Sequence, residues 1–378
     1  MKGYAKPLNE FICGQQIQFV IPVYQRNYDW LQDNCDQLLS DLVKLSQSGR
    51  PSHFFGSIVT SVAGTGFSRL VIDGQQRLTT ISLLLLAGIK AVNDGLLEIS
   101  NESRKDEAYD LFLNAKYCNS DRKIKLVPIE NDRIAYDKIF NGEDELDEDS
   151  KMTRNFRHFY DKLTSKPQQL TFDNLLDAVE HLQIISIELD ADDDAQLIFE
   201  SLNSTGLALT EADKIRNYLL MSLTAEEQQL CFKNYWQKIE AATENNPTKF
   251  LRDYLTIKQQ LQRPVRLSNI YFEWKKYMDG HDRKQEMVEM LDYARYYQQV
   301  TEAQMPTSKL SAKMRHICNI ESDVTNVFFI QFLKYAATNN LSYDEIDKVI
   351  DVVENYLARR IICNMPGNAL TQVFCALH

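Results

Sequence analysis

Residues 78–92 read Leu-Thr-Thr-Ile-Ser-Leu-Leu-Leu-Leu-Ala-Gly-Ile-Lys-Ala-Val, with a single charge, at Lys90. A helix that is apolar on nearly every side cannot lie on a protein surface and has to be wrapped by other elements. The stretch 81–89 is too short for the ~20 residues a membrane helix needs, and it stands close to Arg77. A buried central helix is therefore the first constraint on the fold. Just before it, residues 67–72 read as a strand, and Asp73-Gly74-Gln75-Gln76-Arg77 joins that strand to the helix.

The rest of the chain supplies the wrapping. A length of 378 residues predicts two or three compact units, and 44% hydrophobic with 25% charged residues is ordinary for globular protein. Short β-like runs occur at 17–21, 53–62 and 182–189, with Gly64-Thr65-Gly66 as the turn of a hairpin between 53–62 and 67–72. Leu38, Leu39, Leu42 and Leu45 recur at helical spacing, residues 95–180 are mostly helical, and residues 195–202 read as a helix. Thr210, with Asp213 at the capping-box position, predicts another helix start, and only helices are expected from there on. The expected fold class is α+β, a small mixed sheet with helices followed by a mainly helical region. The expected domains are 1–220, with a helical insertion near 95–180, and an all-helical 221–378.

Composition excludes several functions. The net charge of −11 argues against a protein that coats DNA without specificity, although a local basic groove is compatible with it. Much of the acid lies in Glu143-Asp144-Glu145-Leu146-Asp147-Glu148-Asp149, read as a solvated loop. The seven cysteines form no CxxC pair, which argues against a zinc site or a disulfide framework; they read as small buried hydrophobes. The histidines make no HxH, HExxH or HNH-like set. The first residues lack the apolar core of a signal peptide, so the cytoplasm is the expected compartment and no membrane partner is expected.

Three clusters carry groups suited to chemistry. In Asp73-Gly74-Gln75-Gln76-Arg77, the glycine permits a tight turn and the helix start offers free N–H groups to an anion. Arg77 adds a forked cation suited to phosphate, Asp73 can orient a water or hold magnesium, and Thr79 and Thr80 offer hydroxyls. The alternative is local structure alone: Asp73 as an N-cap, Gly74 as a turn and Arg77 as a surface cation. No GxxxxGK[ST] is present, so this is not a Walker A site. Tyr24-Gln25-Arg26-Asn27-Tyr28-Asp29-Trp30 combines stacking rings with Arg and Gln, which suits a nucleobase or a nucleic-acid backbone, or else a loop packed on the core. Asn203-Ser204-Thr205-Gly206, before Lys214 and Arg216, reads as a helix–turn–helix elbow or as a ligand contact.

Taken in order, Ile21-Pro22-Val23-Tyr24-Gln25-Arg26-Asn27-Tyr28-Asp29-Trp30, Phe55-Gly56-Ser57-Ile58-Val59, the Asp73–Arg77 motif and the stretch 199–220 resemble the N-terminal, GmrS-type domain of GmrSD-type modification-dependent restriction systems. The same domain occurs in SspE-like effectors that sense phosphorothioate-modified DNA. The resemblance implies a ParB/sulfiredoxin-like α+β core that binds and hydrolyses a nucleotide, GTP favoured, with Mg2+ at Asp73. It implies catalytic roles for Asp73, Gln75, Gln76 and Arg77, and nucleotide contacts from Gly56, Ser57, Gly74, Thr79, Thr80, Asn203, Thr205 and Gly206. Tyr24, Gln25 and Arg26 would line the same cavity or the modified-DNA surface, and Tyr28, Lys214 and Arg216 are expected with them in sensing modified DNA. The implied partner is an HNH nuclease domain or subunit, and homo-oligomerisation is left open.

Overall fold

The computed structural model describes residues 1–48, 51–63, 67–166, 169–190, 193, 195–202, 209–320, 323–365 and 370–377. They fall into two compact units, Met1–Gly206 and Leu207–His378. The chain is α+β: a mixed sheet with helices in the first unit, and helices in the second.

Among the described residues six strands form one sheet: β1 (Lys2–Pro7), β2 (Gln18–Val20), β3 (His53–Ala63), β4 (Ser68–Asp73), β5 (Leu126–Val127) and β6 (Leu182–Leu189). Their order is β1-β6-β3-β4-β2-β5. β3 and β4 form the antiparallel hairpin, β6 lies parallel to β3, and β2 lies parallel to both β4 and β5. β3 is irregular at two points, between Phe54 and Gly56 against β6 and between Val59 and Thr60 against β4. Such bulges re-aim the backbone, and the segment between them, Gly56–Val59, lies beside the end of β4.

The helices of this unit are α1 (Leu8–Ile12), α2 (Gln32–Ser48), α3 (Gln75–Asn93), α4 (Ser103–Ala108), α5 (Glu130–Phe140), α6 (Lys151–Thr164), α7 (Phe172–Glu180) and α8 (Ala195–Leu202); α4 runs on into a π-helical turn, Tyr109–Leu113. Helix α3 is the wrapped element: 15 of its 19 residues are buried. It packs along α6 and against α5 and α7. It starts at Gln75, ahead of the apolar run, because Gly74 takes φ +96° and its carbonyl accepts the first helical bond, from Leu78 N–H at 3.0 Å. Gly88 marks a close approach of α3 to α7, since a Cβ there would lie 3.1 Å from Phe172 Cε2 and 3.3 Å from Leu175 Cδ2.

The second unit contains α9 (Glu211–Leu220), α10 (Ala225–Cys231), α11 (Gln237–Ala242), α12 (Pro247–Lys258), α13 (Ile270–Tyr277), α14 (Arg283–Thr301), α15 (Ser308–Ile320), α16 (Asn326–Thr338), α17 (Tyr343–Ile362) and α18 (Leu370–Cys375). Thr210 caps α9 in a full capping box with Asp213. Trp236, Phe250, Trp274 and Phe329 fill its interior, where buried Glu286 accepts from Tyr254 at 2.5 Å and Tyr277 at 2.8 Å. Among the described residues no helix is long and apolar enough to cross a membrane. The expectation of buried cysteines holds for Cys35, Cys118, Cys231 and Cys375; Cys318 is half-buried, and Cys13 and Cys363, just beyond helix ends, are exposed.

The tight seam at Gly88 makes Gly88→Val a test of how α3 is held. Overpacking against Phe172 and Leu175 is expected to cost roughly 2 kcal/mol, read as a lower urea midpoint with an unchanged slope.

Candidate functional site

The motif sits where β4 hands over to α3. Helix α3 has no side-chain N-cap, so the N–H groups of its first turn are not claimed by a capping oxygen. A Cβ at Gly74 would lie 3.0 Å from Ile58 Cγ1 and 3.3 Å from Ile58 Cα, so the position takes glycine for both its φ and its space.

Arg77 turns back from α3 onto β3. Its Nη1 donates to Ser57 O at 3.0 Å and stands 3.9 Å from Asp73 Oδ2. The guanidinium lies directly on Gly56: a Cβ there would be 2.7 Å from Arg77 Nε and 2.8 Å from Cζ, and Gly56 has φ +122°. Glycine at 56 is thus the seat of the arginine. Asp73 is largely buried, and burial raises its carboxyl above the ordinary range; Arg77, the Gly74 N–H and Arg26 oppose that rise. Asp73 thus stands beside the guanidinium of Arg77 and within electrostatic reach of that of Arg26.

The two glutamines are buried and bonded. Gln76 brackets the loop 24–30: its Oε1 accepts from Asp29 N–H at 2.8 Å and its Nε2 donates to Asn27 O at 3.1 Å. Gln75 donates to Gln25 Oε1 at 3.0 Å, and Gln25 donates to Ile72 O at 2.8 Å, which ties the same loop to the end of β4. Thr79 and Thr80 point into the packing; Thr80 donates to Gln76 O at 2.8 Å and meets Tyr28 OH at 2.8 Å. Tyr24 and Tyr28 are likewise buried, while Arg26 keeps 14% of its side chain exposed and pairs with Asp29 at 3.8 Å. The structure therefore gathers Gly56, Ser57, Asp73, Gly74, Arg77 and Arg26 around one corner. Gln25, Gln75, Gln76, Tyr28 and Thr80 form the frame behind it.

The other expected contacts belong to the second unit or fall outside the described residues. Lys214 and Arg216 belong to the second unit, where Lys214 pairs with Glu211 at 2.7 Å and buried Arg216 with Asp213 at 2.8 Å and Glu240 at 2.9 Å. Their charges are matched by their own neighbours, which weakens the reading of them as a basic patch. Asn203, Thr205 and Gly206 lie outside the described residues. Among the described residues no group of three or more His, Cys, Asp or Glu is placed to hold a metal ion.

The loop 24–30 is gripped from the far side by residues that the sequence reading did not single out. Asp132, on α5, accepts from Tyr28 N–H at 2.6 Å, and Asn155, on α6, donates to Tyr28 OH at 3.0 Å and to Trp30 O at 2.9 Å. Lys151 pairs with Asp29. Asn155 had a signal in the sequence: a polar residue on the apolar face formed by Met152, Phe156, Phe159 and Leu163.

Gly56→Ala is expected to destabilise by about 2 kcal/mol through positive φ and the clash with Arg77. Adding Arg77→Ala should recover the clash but not the backbone strain, which a urea double-mutant cycle resolves. Burial also raises the Asp132 carboxyl to about 6, against an unfolded value of roughly 4. The native state then holds the extra proton between those values, so this group's contribution is fully present below about 4 and is lost as pH rises through about 6. Asp132→Asn should flatten that part of the stability–pH curve; a curve as steep as wild type between pH 4 and 6 contradicts the assignment.

Residues 8–220 match the family model described as GmrSD restriction endonuclease, N-terminal domain, more than half of the chain. No curated protein matches the chain. The matched stretch runs from α1 through α9 and contains the whole sheet except β1, along with the Asp73–Arg77 corner and the loop bracketed by Gln76. The chain belongs to the family of GmrSD restriction endonuclease N-terminal domains.

Proposed function

We propose that this chain is the nucleotide-dependent sensor part of a restriction system that acts on modified DNA, and that nucleotide phosphates sit at the Asp73–Arg77 corner. The observation that carries this is the seating of Arg77 on Gly56 beside the uncapped start of α3. A fixed guanidinium and unclaimed helix N–H groups form a site for a phosphate chain. Family membership supports the restriction context.

In this reading Arg77 and the first-turn N–H groups neutralise charge on the γ-phosphate. Water attacks the γ-phosphorus, the bond to the β-phosphate oxygen breaks, and nucleoside diphosphate and phosphate leave. Asp73 orients the water, and the raised affinity of its buried carboxylate for a proton suits it to accept one. One carboxylate suits Mg2+ only where phosphate oxygens and water complete the shell, and there the ion supplies charge neutralisation. Gln75 and Gln76 act through the frame: they set the loop 24–30, whose Arg26 meets both the corner and solvent. Contact of modified DNA with that loop would reach the corner through Gln76, and an HNH nuclease domain or subunit would carry out cleavage.

The test is phosphate release from GTP and ATP with Mg2+, with and without phosphorothioate-modified DNA. Turnover, with GTP preferred, is expected, and Arg77→Ala should lower it by about a hundredfold or more, the scale of losing one preorganised charge contact. A folded chain that neither binds nor hydrolyses either nucleotide contradicts the proposal. DNA binding that survives Arg77→Ala without any turnover in wild type would make the chain a binding module instead.

A further inference from the structure

A cavity of about 620 Å³ opens at the opposite end of α3, some fifteen residues or roughly 20 Å from Arg77 at about 1.5 Å per residue. Its volume is in the range of small-molecule sites. The floor is apolar: Leu86 and Ile89 of α3, Ile139 and Phe140 of α5, Leu146, and Phe156 of α6. Tyr109, on the π-helical turn, closes one side with its ring 5.8 Å from that of Phe140.

The rim is acidic. Lys90 is matched by Asp94 at 3.0 Å, and Arg157 is matched by Glu148 outside the cavity. Glu143 and Asp144, from the loop after α5, and Asp161, from α6, have no cationic partner among the described residues. Lys90 Nζ lies between the Asp94 carboxylate and the Tyr160 ring, 5.7 Å from its centroid, while Tyr160 OH donates to Asp94 at 2.7 Å. Carboxylates beside aromatic faces are the combination that attracts organic cations.

We propose that this cavity binds an aliphatic polyamine, its methylene chain on the Phe140–Phe156 floor and its ammonium groups on Glu143, Asp144, Asp161 and the ring of Tyr109. Phosphorylated ligands are repelled by the same rim. A bare metal ion would leave the apolar floor unused, and a neutral apolar ligand would leave the carboxylates unused. The assignment does not rest on the nucleotide reading, because it uses a different end of α3 and different residues.

Titration calorimetry of the full chain with spermidine tests it. Saturable binding of one spermidine per chain is expected. The combined variant Glu143→Gln, Asp144→Asn, Asp161→Asn should weaken it by about tenfold or more, and Tyr109→Ala by about threefold. Those positions are on the rim, and far-UV circular dichroism checks that each variant folds. Absence of saturable binding, an unchanged affinity in the combined variant, or displacement by magnesium at matched ionic strength would overturn the proposal. So would a tri-lysine peptide that binds more tightly than spermidine and is lost with the same variants, since it would assign the cavity to a protein partner.

Discussion

Burying a helix on nearly all of its faces leaves the chain few choices about what surrounds it. In α3 the apolar residues from Leu78 to Val92 are covered by α5, α6 and α7, and the sheet brings β4 to its start. The two glutamines of the first turn are buried as well. A buried side-chain amide without partners costs on the order of 1–3 kcal/mol, so Gln75 and Gln76 must be satisfied by whatever lies beside them. What lies beside them is the loop 24–30, and its position follows from those bonds. The wrapping of one helix thus dictates the frame of the site.

That frame separates two tasks. The side chains that brace it are inaccessible: Gln75, Gln76, Thr80 and Tyr28 hold one another and are held in turn by Asp132 and Asn155. The groups in front of that frame are Arg77 on its glycine seat, Arg26 paired with Asp29, Asp73 and the first N–H groups of α3, and these are the ones the proposed function assigns to a ligand. An acidic protein therefore keeps two arginines, Arg26 and Arg77, at this corner, while the acid run at 143–149 lies by the far end of the same helix. The two ligand classes proposed, an anion at one end and a cation at the other, rest on where the chain places these charges.

Much of this arrangement was legible in the sequence, and the parts that were not have physical reasons. β3, β4 and β6 announce themselves by β-branched and aromatic runs, and the Thr210 box announces α9. β1 was missed because Lys2–Pro7 is an exposed edge strand with no apolar alternation, recruited by pairing with β6. β5 is two residues long and exists through its neighbour β2. The corner itself was found from glycine, arginine and the strand–helix junction. The distinction between the part-exposed residues of the corner and the buried bracing residues was not, because it depends on partners more than a hundred positions away, such as Asp132 and Asn155 for Tyr28. Thr79 and Thr80 have the hydroxyls a phosphate site uses, but at the third and fourth positions after Gln76 the helical turn carries them into the core.

The central claim is that phosphate is held by the start of α3 with Arg77 closing over it. A crystal structure of the chain with a non-hydrolysable GTP analogue and Mg2+ tests this most directly. The account predicts phosphate oxygens within hydrogen-bond distance of the N–H groups of residues 75–77 and of the Arg77 guanidinium, with Arg77 still seated on Gly56. A nucleotide bound elsewhere, with Arg77 still bonded to Ser57 O and no phosphate at the corner, would contradict it.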